Sequence, residues 1–351
     1  MTNRIPVGVL GATGMVGQHF IKFLENHPWF ELTWVGASDR SAGKPYAEAT
    51  SWRLDGAMPP RAAALTVQEC KPAPAAPRLM FSATDASVAT EIERAFAEAG
   101  HTVVSNSRNH RMEPDVPLLV PEINAGHLAI LRRQRVQRGW KGQIVTNPNC
   151  STIVLTMALA PLKPFGIERV IVTTLQAISG AGYPGVPSMD IMANVIPYIG
   201  GEEPKMESET QKILGELDGE AFRPLPARVA AHCNRVSVVD GHLVTVSVEL
   251  QAKPSAAELR AAIEQFRGVP QDKQLPSAPP RPLIYLTAED RPQPRRDVER
   301  ENGMAVFVGR LRPCPVFDWK FVALGHNTVR GAAGAAVLNA ELMQVEGWLT
   351  P

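Results

Sequence analysis

The chain has 351 residues, of which 44% are hydrophobic and 20% charged, with a formal net charge of +1. That length exceeds one ordinary domain, and the composition is that of a folded globular protein with enough apolar material for two cores. Dispersed, near-neutral charge excludes an electrostatic nucleic-acid footprint, and no apolar run approaches the roughly 20 residues of a membrane span.

Met1 to Arg4 runs directly into a strand without a signal-peptide pattern, so a cytoplasmic setting is expected. The four cysteines, Cys70, Cys150, Cys233 and Cys314, are widely spaced and form no Cys-x-x-Cys pair, so no metal site is expected. Ile5 to Leu10 is an apolar run of strand length, Gly11-Ala12-Thr13-Gly14-Met15-Val16-Gly17 is a glycine-rich turn, and Gln18 to Leu24 carries apolar residues at helical spacing. Strand, tight turn and helix are the context of a dinucleotide fingerprint. Glycine lets the backbone approach a pyrophosphate, and the helix N-terminus offers free amide N–H groups. The spacing is Gly-x-x-Gly-x-x-Gly rather than Gly-x-Gly-x-x-Gly, so a tight turn without a ligand stays open at this point. Gly11, Thr13, Gly14, Met15 and Val16 are the candidate cofactor contacts.

The next strand, Leu32 to Ala37, runs into Ser38-Asp39-Arg40-Ser41-Ala42-Gly43-Lys44. An NAD enzyme usually places an acidic residue on the ribose 2′-hydroxyl here. Hydroxyls and two cations at Ser38, Arg40, Ser41 and Lys44 suit a 2′-phosphate instead, with Asp39 dissenting, and NADP is the expected cofactor. Lys71 to Arg78 reads as a loop. Leu79 to Thr84 reads as a buried strand ending in the candidate cofactor residues Ser82 and Thr84, Ser87 to Ala99 as a helix, and His101 to Asn106 as a further strand. This alternation implies an α/β fold with a doubly wound parallel sheet and ligands at its carboxyl edge.

After the strand Gln143 to Thr146 comes Asn147-Pro148-Asn149-Cys150-Ser151-Thr152, then a buried helix through Ala160. Cys150 therefore sits near a helix N-terminus, where the dipole favours a thiolate, and the flanking Asn residues offer a cap and hydrogen-bond donors for an oxyanion.

The glycine turn, the stretch Ala37 to Lys44, Asp115-Val116-Pro117-Leu118-Leu119-Val120-Pro121-Glu122-Ile123-Asn124 and the cysteine hexapeptide together resemble the aspartate-semialdehyde dehydrogenases, most of all their archaeal and fungal branch. The resemblance runs from Val7 to Leu342. It implies a Rossmann-type NADP domain over residues 1–149, completed by a C-terminal helix within 326–351. It also implies an α+β catalytic and dimerisation domain with a mixed sheet over 150–325, and a homodimer or homotetramer.

The resemblance further implies roles for individual residues. Cys150 is the nucleophile and His242 its base, in a run from Asn234 that reads as a strand entering a turn; neutral imidazole takes the thiol proton and later returns it. His232 and Cys233 precede that motif and are read as structural. Arg235 binds the substrate carboxylate, Glu202 its amino group, and Lys205 and Arg111 its phosphate, with Arg108 as the alternative arginine. Gln176 orients the substrate, Asn149 supports the oxyanion, and Ser179, Gly180, Asn327 and Thr328 flank the nicotinamide. For Asn327 and Thr328, simple N-capping is an equal reading. Met206 to Leu217 reads as a helix.

The implied reaction is NADPH-dependent reductive dephosphorylation of aspartyl phosphate to aspartate semialdehyde through a Cys150 thioester, in lysine, threonine and methionine biosynthesis. Its rivals are a malonyl-CoA or succinyl-CoA reductase of the same family and a catalytically silent paralogue that binds nucleotide. No membrane or nucleic-acid partner is expected.

Overall fold

A computed structural model describes residues 4–349, and residues 1–3 and 350–351 of the two expected domain spans lie outside it. The first sheet contains β1 (Ile5–Leu10), β2 (Phe30–Ala37), β3 (Val67–Glu69), β4 (Leu79–Ser82), β5 (Thr102–Ser105) and β6 (Gln143–Thr146). All pair in parallel, in the order β3-β2-β1-β4-β5-β6. Every residue of β4 is buried, the pattern of a strand covered on both faces. Helix α1 (Met15–Leu24) and the C-terminal helix supply Phe20, Ile21, Val337 and Leu338 to one core. Helix α2 (Ala86–Glu98) supplies Phe96 to the opposite core with Trp34 and Met80. The connections reverse between β1 and β4, which opens a crevice beyond their carboxyl ends.

Helix α3 (Cys150–Leu159) follows β6, and every residue from Ser151 to Leu159 is buried. A helix that is apolar on all sides must be surrounded, and this one fills the space against the second sheet. Beyond it lie β7 (Ile167–Gln176), helix α4 (Glu202–Leu214) and a small hairpin of β8 (Glu216–Asp218) and β9 (Ala221–Arg223). The remaining strands are β10 (Arg228–Arg235), β11 (His242–Leu250), β12 (Leu283–Leu286), β13 (Val306–Pro313) and β14 (Trp319–Gly325). The second sheet is mixed, in the order β10-β7-β11-β14-β13-β12. Strand β7 runs parallel to β10 and antiparallel to β11, so the ends of β7, β10 and β14 share one edge with the start of β11. Gln176, Arg235 and His242 stand on that edge.

The expected C-terminal helix lies within residues 326–351. A π-helical turn over Val329–Ala333 precedes helix α5 (Gly334–Val345), which packs back on the first sheet. Arg330 in that turn is fully buried against Glu122 in a two-pronged pair at 2.8 and 2.7 Å. No helix of the described residues is long and apolar enough to cross a membrane.

Candidate active site

A cavity of about 1220 Å³ runs from the glycine turn to the cysteine loop, reaching Gly11, Thr84, Arg111, Asn149 and Lys205. Gly11 has φ +72°, and a side chain there would meet the Ala83 carbonyl at 2.5 Å, so only glycine closes this turn. No side chain caps α1, and Met15 and Val16 at its first turn face the cavity. These are the unpaired amides that a pyrophosphate needs, so the cradle fits a dinucleotide. Thr13, Gly14 and Ser38 also line it. Asp39 does too, whereas Arg40, Ser41 and Lys44 fall in the following turn outside the lining, and Lys71 beyond β3 lines it instead. Ser82 is likewise corrected. It is fully buried and its hydroxyl donates to Glu93 at 2.6 Å, leaving Thr84 alone of the pair at the cavity.

At the inner end, Asn149 caps α3: its Oδ1 accepts from the N–H groups of Ser151 and Thr152 at 2.9 and 3.2 Å. Its Nδ2 donates one hydrogen to Glu202 at 2.7 Å and keeps the other. Cys150 begins the helix, and Nε2 of His242 lies 3.2 Å from its Sγ. His242 is not in a surface turn. It opens β11 and is fully buried.

The backbone N–H of Ala177 donates to Nδ1 of His242 at 3.1 Å. A ring nitrogen that accepts carries no hydrogen, so the neutral imidazole holds its hydrogen on Nε2, toward the sulfur. In this geometry the expected base has no bare ring nitrogen at the sulfur. Taking the thiol proton requires a bare Nε2 and hence a hydrogen on Nδ1, which would point at the Ala177 N–H. Burial, with the Arg235 charge and His326, lowers the ring pKa to about 3, and burial with the Glu202 charge raises that of Cys150 to about 12. Thiol and imidazole are therefore both neutral near pH 7, and the imidazole is a hydrogen-bond donor.

Arg235, also buried, donates to the Ala177 carbonyl at 2.7 Å. Gly180 lies over both side chains: a Cβ there would come within 2.9 Å of His242 Nε2 and 3.0 Å of an Arg235 nitrogen. Gln176 Nε2 approaches Glu202 at 3.4 Å. Asn327 is no helix cap. Its Oδ1 accepts from Gly241 N–H at 2.8 Å and its Nδ2 donates to Ser179 at 2.7 Å, tying the loop before β11 to the loop after β7. Ser179 and Thr328 face a second cavity of about 1030 Å³ beyond Met15.

Helix α4 starts four residues before its expected beginning, so Glu202 and Lys205 share its first turn, paired at 2.8 Å. The pair and the side chains of Asn149 and Gln176 hold the Glu202 carboxyl below the usual range against the opposing effect of burial. One turn on, Glu209 receives Arg111 at 3.0 Å, which leaves Arg108 at the exposed rim of the cavity and Arg111 buried within it. The site thus joins a thiol, an N–H donor, two buried arginines and a lysine beside a dinucleotide cradle. Missed from the sequence were Ala177, Lys71, Glu209 and Lys212. The last two follow Glu202 and Lys205 at helical spacing, visible once the helix is started at Glu202.

Residues 6–131 match the model of the semialdehyde dehydrogenase NAD-binding domain, and residues 159–330 that of the semialdehyde dehydrogenase dimerisation domain. The aspartate-semialdehyde dehydrogenase of Methanothermobacter thermautotrophicus is 52% identical over 343 residues, covering 97% of this chain and 99% of that one. The chain belongs to the aspartate-semialdehyde dehydrogenase family. The family member of Cryptococcus neoformans is 50% identical over 357 residues, covering 98% of each chain. The crystal structure of the Candida albicans family member with NADP superposes with a TM-score of 0.90 at 43% identity, covering 98% of this chain and 99% of that one. Archaeal and fungal relatives at this identity agree with the branch that the sequence resembles.

Proposed function

We propose that the protein is an NADP-dependent aspartate-semialdehyde dehydrogenase that forms aspartate semialdehyde from aspartyl phosphate in amino-acid biosynthesis. The single observation that carries this is the 3.2 Å approach of His242 to Cys150 at the end of the dinucleotide cavity. The cofactor is the one named for the Candida albicans relative. Gly11 to Val16 would hold its pyrophosphate, with Ser38 and Lys71 near the ribose, and it supplies the hydride when bound. Residues 1–149 with α5 form the cofactor domain and residues 150–325 the catalytic one.

Cys150 Sγ attacks the acyl carbon as the C–O bond to phosphate breaks, the thiol proton leaves on the released phosphate, and a thioester remains on sulfur. The Cys150 N–H and the free hydrogen of Asn149 Nδ2 stabilise the oxyanion. Hydride addition to the thioester gives a hemithioacetal alkoxide, which accepts a hydrogen bond from His242 Nε2–H. Its collapse breaks the C–S bond, releases the aldehyde and leaves a thiolate, which takes a proton from solvent to restore the thiol. Every step proceeds without proton transfer at His242: the thiol proton ends on the released phosphate, and the proton consumed overall restores the thiol. Arg235 pairs with the substrate carboxylate, Glu202 with its amino group, and Arg111 and Lys205 with phosphate, while Gln176 orients the chain.

The unpartnered outer face of the second sheet, with Ile171 and Leu175 exposed, suits a homodimer or homotetramer, and the setting is cytoplasmic. The test is NADPH formation from aspartate semialdehyde, NADP and phosphate, run beside NADPH oxidation with malonyl-CoA. Turnover with the CoA ester alone would overturn the assignment.

A further inference from the structure

Helix α4 presents Glu202, Lys205, Glu209 and Lys212 at intervals of three and four residues, which places them along one face. The first pair faces the substrate end of the cavity. The second pair is buried and has no place in the chemistry above. Glu209 spends both carboxylate oxygens on two different parts of the site. One accepts from the Arg111 guanidinium at 3.0 Å, and the other accepts from the backbone N–H of Asn149 at 2.7 Å. Lys212 donates to the carbonyl of the same Arg111 at 2.7 Å, and to those of Glu113 and Val116 at 2.8 Å each. A second guanidinium nitrogen of Arg111 donates to the Asn106 carbonyl at 2.8 Å, and its Nε is buried without a protein partner.

We propose that Glu209 is a positioning residue that fixes the guanidinium of Arg111 relative to the Asn149–Cys150 turn, with Lys212 clamping the Arg111 backbone. The distance between the phosphate group and the attacking sulfur is thereby set by one rigid helix rather than by a surface loop. This rests on Arg111 being the phosphate-binding arginine proposed above. Two bonds of different kind need one carboxylate. A glutamine at 209 can accept from Asn149 through its oxygen, but it then turns an N–H group toward the N–H of Arg111. An aspartate keeps the charge and is one methylene too short to reach both.

The test compares the parent, E209Q, E209D, R111A and the R111A/E209Q double variant in the phosphorylating direction, with aspartate semialdehyde, NADP and inorganic phosphate. E209Q is expected to raise the KM for phosphate on the order of tenfold, as loss of a charged hydrogen bond does, with the KM for NADP within about twofold of the parent. In the R111A background the same change adds less than about twofold, since both act through one contact. An unchanged phosphate KM in E209Q, or a full tenfold effect without Arg111, overturns the proposal. If E209Q does not fold, E209D decides by the same criteria. If R111A leaves the phosphate KM unchanged, the phosphate-arginine reading fails; if R111A raises it and E209Q does not, only the role of Glu209 fails.

Discussion

The N–H of Ala177 sits 3.1 Å from Nδ1 of His242, and that one backbone bond decides which ring nitrogen carries a hydrogen toward Cys150. An imidazole fixed this way donates and does not accept. A side chain that keeps an N–H near Sγ without titrating should therefore keep part of the activity. His242→Ala is expected to lower kcat on the order of 10²- to 10³-fold, the usual cost of a lost oxyanion donor, and His242→Gln to recover about tenfold of that. Nitrogen-15 shifts of His242 should show a bare Nδ1 and a protonated Nε2 at pH 7. Equal losses in the two variants, with a hydrogen on Nδ1, would restore the general-base role.

The pH dependence of Cys150 follows from its surroundings. Burial and Glu202 hold the thiol near a pKa of about 12, while Arg111 and Arg235 only partly oppose them. The thiolate fraction of the ligand-free enzyme then climbs about tenfold per pH unit across pH 7 to 9. Inactivation by iodoacetamide should rise with the same slope. A plateau beginning near pH 6 would reveal a thiolate–imidazolium pair and contradict both the tautomer and the burial.

Much of this was legible because the chemistry is written locally. The glycine turn, the capped cysteine and the apolar run of α3 each announce themselves within ten residues, and the parallel sheet follows from alternation. The bonds that choose the tautomer were not. Ala177 contributes only its backbone, and no side-chain identity reports a backbone N–H aimed at a ring 65 positions away in sequence. Glu209 and Lys212 were hidden by a boundary. With the helix begun at Met206, Glu202 and Lys205 fall outside it, and the repeat of the pair two turns later on the same helix face does not show. Ser82 misled for the opposite reason: a hydroxyl at a strand's carboxyl end suits a cofactor, but here it satisfies the buried carboxylate of Glu93.

Cofactor selectivity should depend on Lys71 more than on the cations that the sequence highlights. Lys71 lines the dinucleotide cavity with Ser38 and Asp39, and Arg40 and Lys44 do not. Lys71→Ala is expected to raise the KM for NADP about threefold to tenfold with little change for NAD, as befits one exposed charge on phosphate. Steady-state titration with both cofactors checks this, and a larger effect from Lys44→Ala would return the 2′-phosphate to the loop after β2.

Stability offers a separate check on how the C-terminal segment is joined to the body. Arg330 and Glu122 are both fully buried and meet through two bonds. Glu122→Gln leaves the guanidinium buried opposite a neutral group, at an expected cost of about 3–5 kcal/mol. Urea denaturation measures it. A loss under about 1 kcal/mol would mean that water reaches the pair.

The most direct measurement concerns the thiol itself. Phosphate-dependent NADPH formation from aspartate semialdehyde should disappear in Cys150→Ala, while NADP binding, read by fluorescence quenching or calorimetry, stays within about threefold of the parent. Undiminished turnover in that variant would remove the thioester, and with it the account of the site.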